Sequence, residues 1–379
     1  MHKIRKISAH RVYPVSSEPV EKGIVTVDSD GTILSVDEWT PGKEDFNTEF
    51  YNGIIVPGFV NAHCHLELSY LKSQFSDDCG LDGFLQQMRE KRHLHIERAK
   101  DMASVYDAKM FREGVSAVAD IVNSEITADV KKDSPVHYIN YIELFGLKSE
   151  DADHIRTRAE AVAKHFENVH FTPHALYSLS GELKRHLADM MKQQTSASLH
   201  YFESPDEEAY YMSHTGPMAE ALLKIAGTLP EKKGTGRWEE MRLLFHQNIR
   251  LLLVHNTFVP PADEDEMQRN FSRFYRVLCP CSNHFISRKR PPFRSFAGHR
   301  ICLETDSLAS GMDLNILNEM RCMMQDPACP SFDEMLRWAT LNGADALGIQ
   351  NMYGSIEKGK RPGLVLISNF DYAGKQLTP

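Results

Sequence analysis

The sequence predicts an α/β fold, a (β/α)8 TIM barrel with a small β-sandwich built from both chain termini. Three observations predict it. From residue 54 onward, short apolar runs alternate with long amphipathic stretches. Near-continuously apolar strands separated by helices are the pattern of a parallel sheet with covered faces, and eight such runs over roughly 290 residues fit a closed barrel. Residues 1–56 and the tail, in contrast, hold only turns and short strands.

In chain order, Arg11–Val15 reads as a strand. Gly23–Val27 and Thr32–Val36 read as a hairpin around Asp28-Ser29-Asp30-Gly31, with Asp-Gly supplying the turn. The barrel runs are Ile54–Val60, Val115–Ile121, Val136–Leu144, Val169–Tyr177, Ser196–Phe202, Ile249–Val254, Tyr275–Cys279 and Arg300–Glu304. Helices are expected at Leu81–Phe111, Ser149–Glu167, Ser180–Gln194, Asp263–Phe274, Leu314–Gln325 and Ser331–Gly343. The competing arrangement is an open doubly wound sheet. No Gly-x-Gly-x-x-Gly follows the first strand, and Gly234-Thr235-Gly236 sits in a loop, so a dinucleotide fold has little support. The tail, Gly354–Ile367, is turn and strand again and is expected to return to the N-terminal module. That makes the small unit discontinuous, 1–56 with 350–379, around a barrel at 57–349.

A chain 42% hydrophobic and 25% charged is an ordinary soluble enzyme in composition. Its net charge of -9 argues against a nucleic-acid partner, and Arg288-Lys289-Arg290 reads as a solvated loop. The 7 cysteines are odd in number and scattered, several within apolar runs, which points to a reducing, cytoplasmic setting. Cys279-Pro280-Cys281 has no second cysteine pair at zinc-finger spacing. The basic start Met1–Lys6 is followed by no long apolar run, and no apolar stretch reaches the roughly 18 residues of a span, so neither secretion nor membrane insertion is expected.

In a barrel, reactive groups sit where strands end at the C-terminal face. The first run leads to Asn61-Ala62-His63-Cys64-His65. On a strand, alternation points His63 and His65 the same way and Cys64 the other. Alone, this pair is equally well read as surface or hydrogen-bonded histidines. The fourth run carries His174, the fifth ends in His200 with Glu203 three residues on, the sixth ends in His255 and the eighth in Asp306. Any one of these fits a satisfied polar group; their joint placement on strand ends points to a metal site. His63, His65, His200 and Asp306 can supply three or four nitrogen and oxygen ligands around an ion that activates a water. Glu203 is placed to take the water's proton and pass it on. His255 can orient the attacking oxygen, and His174 can hold the substrate. His93, His95, His154, His165 and His186 fall in helical or loop stretches and receive no role.

With these residues in view, the chain resembles the amidohydrolase superfamily, in its branch of metal-dependent deaminases and chlorohydrolases. The resemblance is carried by Pro57-Gly58-Phe59-Val60-Asn61-Ala62-His63-Cys64-His65, Pro173-His174-Ala175-Leu176-Tyr177-Ser178-Leu179-Ser180, His200-Tyr201-Phe202-Glu203, Val254-His255-Asn256, Cys279-Pro280-Cys281-Ser282-Asn283, Thr305-Asp306-Ser307 and Gly354-Ser355-Ile356-Glu357. They run in the family's order over nearly the whole chain. The resemblance implies one catalytic divalent ion, zinc or iron, on His63, His65, His200 and Asp306, with Glu203 as proton shuttle and a homodimer as the common assembly. Two features depart from it. The tail reads Gly359-Lys360-Arg361-Pro362-Gly363 where the family often has Gly-Lys-x-Ala-Asp, which touches the β module. The Val169–Tyr177 run has His174 and no bridging lysine, which favours a single metal, although Lys148 follows the third strand.

The expected reaction is hydrolytic deamination. Water adds to an amidine-type ring carbon, Glu203 moves the proton to the adjacent ring nitrogen, His255 and Asp306 stabilise the tetrahedral intermediate, and ammonia leaves. The expected substrate is a small purine-, nucleoside- or pterin-like heterocycle, an adenine-type nucleoside such as aminodeoxyfutalosine being one candidate. Hydrolysis of a cyclic amide or a chloro-heterocycle stays open, as does a non-catalytic barrel that only binds. Glu67, two residues past the histidine pair, either binds a ring N–H or ribose hydroxyl or caps the following helix. Ser307, beside Asp306, joins His174 as a substrate-contact candidate. The 204–248 insert, with Tyr210, Tyr211, His214, Arg237 and Trp238, reads as a partial lid or as a helical excursion, Met218–Ala226 and Trp238–Gln247, with a Glu231–Gly234 tip.

Overall fold

The computed structural model describes residues 4–40, 47–227, 229, 236–296, 298, 300–368, 370, 371, 376 and 377, so the Glu231–Gly234 tip lies outside the described residues. The first strands are β1 (Arg5–Val12), β2 (Val20–Glu21), β3 (Ile24–Val27), β4 (Ile33–Asp37) and β5 (Thr48–Pro57). Next come β6 (Phe59–Cys64), β7 (Val115–Val122), β8 (His137–Leu144), β9 (Val169–Pro173), β10 (Ser196–Tyr201), β11 (Arg250–His255), β12 (Phe274–Leu278) and β13 (Ile301–Leu303). The tail adds β14 (Leu364–Ile367) and the ribbon β15 (Phe370–Asp371) with β16 (Gln376–Leu377).

The tail does return. β14 pairs antiparallel with β5, giving a sheet of order β14-β5-β1-β3-β4 with β2 on the flank of β1. Two expectations shift. The Arg11–Val15 strand is instead the end of β1, which stops at Val12; Pro14 has no N–H to pair, and Val15 turns away at φ 71. The apolar run Ile54–Val60 is two strands. Residues through Pro57 belong to the terminal sheet, and the barrel begins at Phe59. Gly58 makes the crossing, because a Cβ there would lie 2.4 Å from the Pro362 carbonyl oxygen. Periodicity could not show this break, since both halves are buried. The expected helix Leu81–Phe111 is also two, Gly80–Lys91 and Ala99–Arg112, parted where His95 takes φ 60.

The barrel strands run parallel in two groups, β6 to β9 and β10 to β13. Both seams between the groups are closed by residues of the expected site. At one, the His200 N–H donates to the His174 carbonyl at 2.9 Å, and Ser198 N–H to Thr172 Oγ1 at 2.8 Å. At the other, Cys64 bridges Asp306 in parallel, and Asn61 Nδ2 donates to Thr305 Oγ1 at 2.7 Å. Closure and site assembly are therefore one event. The described residues contain no helix long and apolar enough to cross a membrane.

Beneath the first histidine pair lies a buried ion pair. Lys131 Nζ sits 2.5 Å from Asp120 Oδ2 and donates to Asn140 Oδ1 at 2.6 Å. Asp120 Oδ1 in turn accepts the N–H of Leu66, the residue after His65, at 2.8 Å. Removing one partner of a buried pair leaves an uncompensated charge, so Lys131→Met should cost about 3–5 kcal/mol of stability, read as a lowered midpoint in chemical denaturation.

Candidate active site

The ends of β6, β9, β10, β11 and β13 converge on a cavity of about 500 Å3 whose lining includes His65, His174, His200, Glu203, His255, Asp306 and Ser307. His63 lies just below, fully buried. One ligand nitrogen from each of His63, His65 and His200 falls within 4.8 Å of the others. His63 and His65 meet through their Nε2 atoms at 3.1 Å, close to the roughly 3.0–3.4 Å separating two imidazole nitrogens that share one zinc-sized ion. Alternation on β6 is what aims both rings to one side, and Cys64 packs behind them in the apolar core.

The surrounding hydrogen bonds orient these donors. His200 Nδ1 faces the His174 carbonyl at 2.9 Å, where only an N–H is a sensible partner, so Nε2 keeps its lone pair for the cavity. His63 Nδ1 is 3.4 Å from the Ser198 hydroxyl. Asp306 accepts the Ser282 and Ser310 hydroxyls on Oδ2, at 2.7 and 2.6 Å, and leaves Oδ1 3.6 Å from His65 Nε2. Buried nitrogens with free lone pairs beside a carboxylate oxygen fit a divalent ion. Two further donor groupings exist among the described residues, Glu143-His174-His200 and His255-Cys279-Glu304. The latter is too tight for an ion: His255 Nδ1 and Cys279 Sγ are 3.0 Å apart, whereas a tetrahedral metal holds sulfur and nitrogen about 3.5 Å apart. It is a hydrogen-bonded cluster behind His255, joined by Asn283 Nδ2 at 3.1 Å.

Burial sets the protonation states. It lowers His63 strongly and brings His174, His200 and His255 down to about 3, with neighbouring histidines adding to the effect. These rings are neutral and able to ligate or hydrogen-bond. Burial, then Asp306 and Glu207, push the Glu203 carboxyl well above the carboxylate range. Burial pushes Asp306 upward too, but His65, His255 and the two serine hydroxyls overcome it and hold the group below its ordinary value. Glu203 and Asp306 are thus carboxyls tuned in opposite directions. Glu203 Oε2 stands 3.5 Å from His255 Nε2.

The strand ends bend to present these groups. Phe202, His255, Asn256 and Asp306 have φ of 50, 74, 56 and 55, left-handed conformations that are rare for residues with side chains. Each costs of order 1–3 kcal/mol and persists only where the surroundings impose it.

Glu67 does not face this cavity. Its carboxylate accepts Asn123 N–H, Ser124 N–H and the Ser124 hydroxyl at 3.1, 3.1 and 3.0 Å, with Arg92 at 3.4 Å. It therefore caps the loop after β7 rather than its own helix, and it lines an adjoining pocket that shares Leu68, Arg92, Asn123, Glu143 and Phe145 with this cavity. Among its described residues the insert forms three helices, Glu207–Ser213, Pro217–Ala226 and Arg237–Leu244. Leu222 and Ala226 reach the cavity wall, while Tyr210, Tyr211, His214, Arg237 and Trp238 are not among its lining residues. Arg237 instead packs over Phe202 and Trp238 and pairs with Asp263 at 2.8 Å. The sequence reading missed Glu143, which lines the cavity from β8, and the Asn283 and Cys279 contacts to His255. Glu143 had one available signal, a carboxylate next to the last residue of a largely buried strand.

Comparison with known proteins follows the same lines. The sequence profile of the Amidohydrolase family matches residues 54–378. The chain is 25% identical to an adenosine deaminase of Helicobacter pylori over 331 residues, 83% of this chain and 79% of that one. It is 24% identical over 350 residues to a 5-methylthioadenosine/S-adenosylhomocysteine deaminase of Saccharophagus degradans, covering 86% and 73%. In fold it is similar to Helicobacter pylori aminofutalosine deaminase in complex with methylthio-coformycin, with TM-score 0.83, 23% identity and 95% and 91% of the two chains covered. An adenosine deaminase from Xanthomonas campestris with bound zinc gives TM-score 0.74, 24% identity and coverage of 96% and 84%. A match that begins just before the barrel and takes in every strand end described above settles the relationship: this chain belongs to the amidohydrolase family.

Proposed function

We propose that this chain is a metal-dependent hydrolytic deaminase that replaces an amino group of a purine-, nucleoside- or pterin-like heterocycle by oxo and releases ammonia. The observation that carries the reading is Glu203, a buried carboxyl with a raised proton affinity, standing at the cavity beside His255 and near a three-histidine donor set that has Asp306 Oδ1 3.6 Å from His65. The named activities of the relatives support it, adenosine and 5-methylthioadenosine deamination among them.

His63, His65, His200 and Asp306 would hold one divalent ion, zinc or iron, which when bound supplies the Lewis acidity that makes a water nucleophilic at neutral pH. Glu203 takes a proton from the attacking water and delivers it to the ring nitrogen next to the reacting carbon, a task suited to a carboxyl whose proton affinity burial has raised. The carbon–oxygen bond forms first; the hydroxyl of the tetrahedral carbon then gives its proton, through Glu203, to the amino group, and the carbon–nitrogen bond breaks to leave the oxo group and ammonia. His255 Nε2, 3.5 Å from Glu203 Oε2, orients the oxygen, its ring fixed by Asn283 and Cys279. His174, stacked on His200 with ring centres 4.4 Å apart, and Ser307 contact the substrate. Leu81, Leu85, Met88 and Leu222 give the cavity an apolar wall for a flat ring. The free cysteines among the described residues support a cytoplasmic setting, and a homodimer completes the reading.

The test is ammonia release by zinc- or iron-loaded protein from a panel of aminopurines, adenosine-type nucleosides, aminopterins and aminopyrimidines. Ammonia from at least one member is the expected result and identifies the ring system. A metal-loaded protein that releases none from any of them rejects deamination in favour of cyclic-amide hydrolysis.

A further inference from the structure

Glu203 sits past the last ladder residue of β10, on a loop that Phe202 enters in a left-handed conformation. The loop after β11 holds the carbonyl side of this backbone, Phe258 N–H donating to the Phe202 carbonyl at 2.9 Å. The N–H side is held by one side chain. Glu207, fully buried, accepts the N–H of Phe202 on Oε2 at 3.0 Å, and the N–H groups of Glu203 and Ser204 on Oε1 at 2.6 and 3.1 Å. The Tyr211 hydroxyl donates to Oε2 at 3.2 Å and completes the set. Three successive backbone donors on one carboxylate are a charge-assisted cradle.

We infer that Glu207 is a positioning residue for the proposed deamination: by gathering the N–H groups of Phe202, Glu203 and Ser204 it fixes where the Glu203 carboxyl stands over the substrate. The inference rests on the deaminase reading for its chemistry, but its structural half stands apart from it. The His-x-x-Glu-x-x-x-Glu spacing has a physical reason. Four residues on, the first turn of the helix Glu207–Ser213 folds back over the loop, so its carboxylate faces the N–H groups that the turn exposes. Burial raises the Glu207 carboxyl to about 7, and the three backbone bonds and Tyr211 oppose that rise. The cradle is thus assembled against a desolvation cost, which argues that the geometry is what the fold requires of it.

Glu207→Gln keeps the shape but offers one acceptor oxygen and turns an NH2 group toward backbone donors. Glu207→Asp keeps the charge but falls short of the loop. With metal-loaded full-length protein, both variants should lose kcat by about tenfold to a hundredfold, the effect of an ångström-scale misplacement. KM should stay within about twofold and metal content should match the wild type. The Phe202, Glu203 and Ser204 amides should exchange hydrogen at least about tenfold faster while the Ser198 and His200 amides stay protected. Wild-type kcat in both variants, or unchanged exchange at the three amides, overturns the inference. A purely structural role would instead show as parallel loss of metal, KM and kcat. Should the wild type release no ammonia from any substrate, the deaminase reading fails, and the exchange measurement alone decides whether Glu207 holds this backbone.

Discussion

Glu203→Gln should lower turnover by a factor of about 10²–10⁴ and leave the metal bound. Glutamine matches the carboxyl in shape and can hydrogen-bond to a substrate, but it cannot accept and release a proton. Glu203 is not among the donors that gather at His63, His65 and His200, so metal content per chain should match the wild type. On the scale of 1.36 kcal/mol per tenfold, the loss corresponds to about 3–5.5 kcal/mol of transition-state stabilisation. The raised proton affinity of Glu203 comes first from burial, with the nearby Asp306 and Glu207 carboxylates adding to it. Ammonia release and elemental analysis on the same preparation decide the matter. A variant that keeps more than a tenth of wild-type kcat removes Glu203 as proton carrier.

How far this site was legible in the chain depends on what kind of signal each residue left. His63 and His65 were readable because a strand alternates and an apolar run leads into them. His200, His255 and Asp306 were readable because each lies at or just past the end of an apolar run, and His174 because the fourth run carries it, and the barrel brings run ends to one face. Glu67 could not be placed. Its spacing from His65 is right for the cavity, but the short 3-10 turn Leu66–Leu71 swings it to the end of β7, where backbone donors capture it. Spacing along a chain fixes direction only while the backbone stays regular. Glu207 carried even less signal, since an acid in the first turn of a helix is ordinary, and its role depends on a left-handed Phe202 that no composition reveals. The split of Ile54–Val60 at Gly58 was hidden in the same way, because the reason for the break is the tail at Pro362, more than three hundred residues later.

His63→Ala should lose the metal and the activity together, whereas His174→Ala should keep the metal and be impaired in substrate binding. The contrast is sharp because two donor groupings share His200: one with His63 and His65, the other with Glu143 and His174. Three features favour the first. The His63 and His65 nitrogens already stand 3.1 Å apart, Asp306 brings a free Oδ1 to 3.6 Å from His65, and its ionised form is held by two serine hydroxyls. In the second, Glu143 also keeps one oxygen free, Oε2 accepting the Asn123 amide at 3.2 Å, but His174 lies face to face with His200, their planes 26° apart, so the two rings do not converge on a point. Metal analysis should therefore give close to one ion per chain for wild type and His174→Ala, and almost none for His63→Ala. A chelator should lower the unfolding temperature of the first two and leave His63→Ala unmoved, because an ion present at 100 to 1,000 times its Kd stabilises the folded state by about 3–4 kcal/mol. Metal retained in His63→Ala but lost in His174→Ala would move the ion to the Glu143 side of the cavity, and Glu203 would then face the wrong partner for the chemistry proposed.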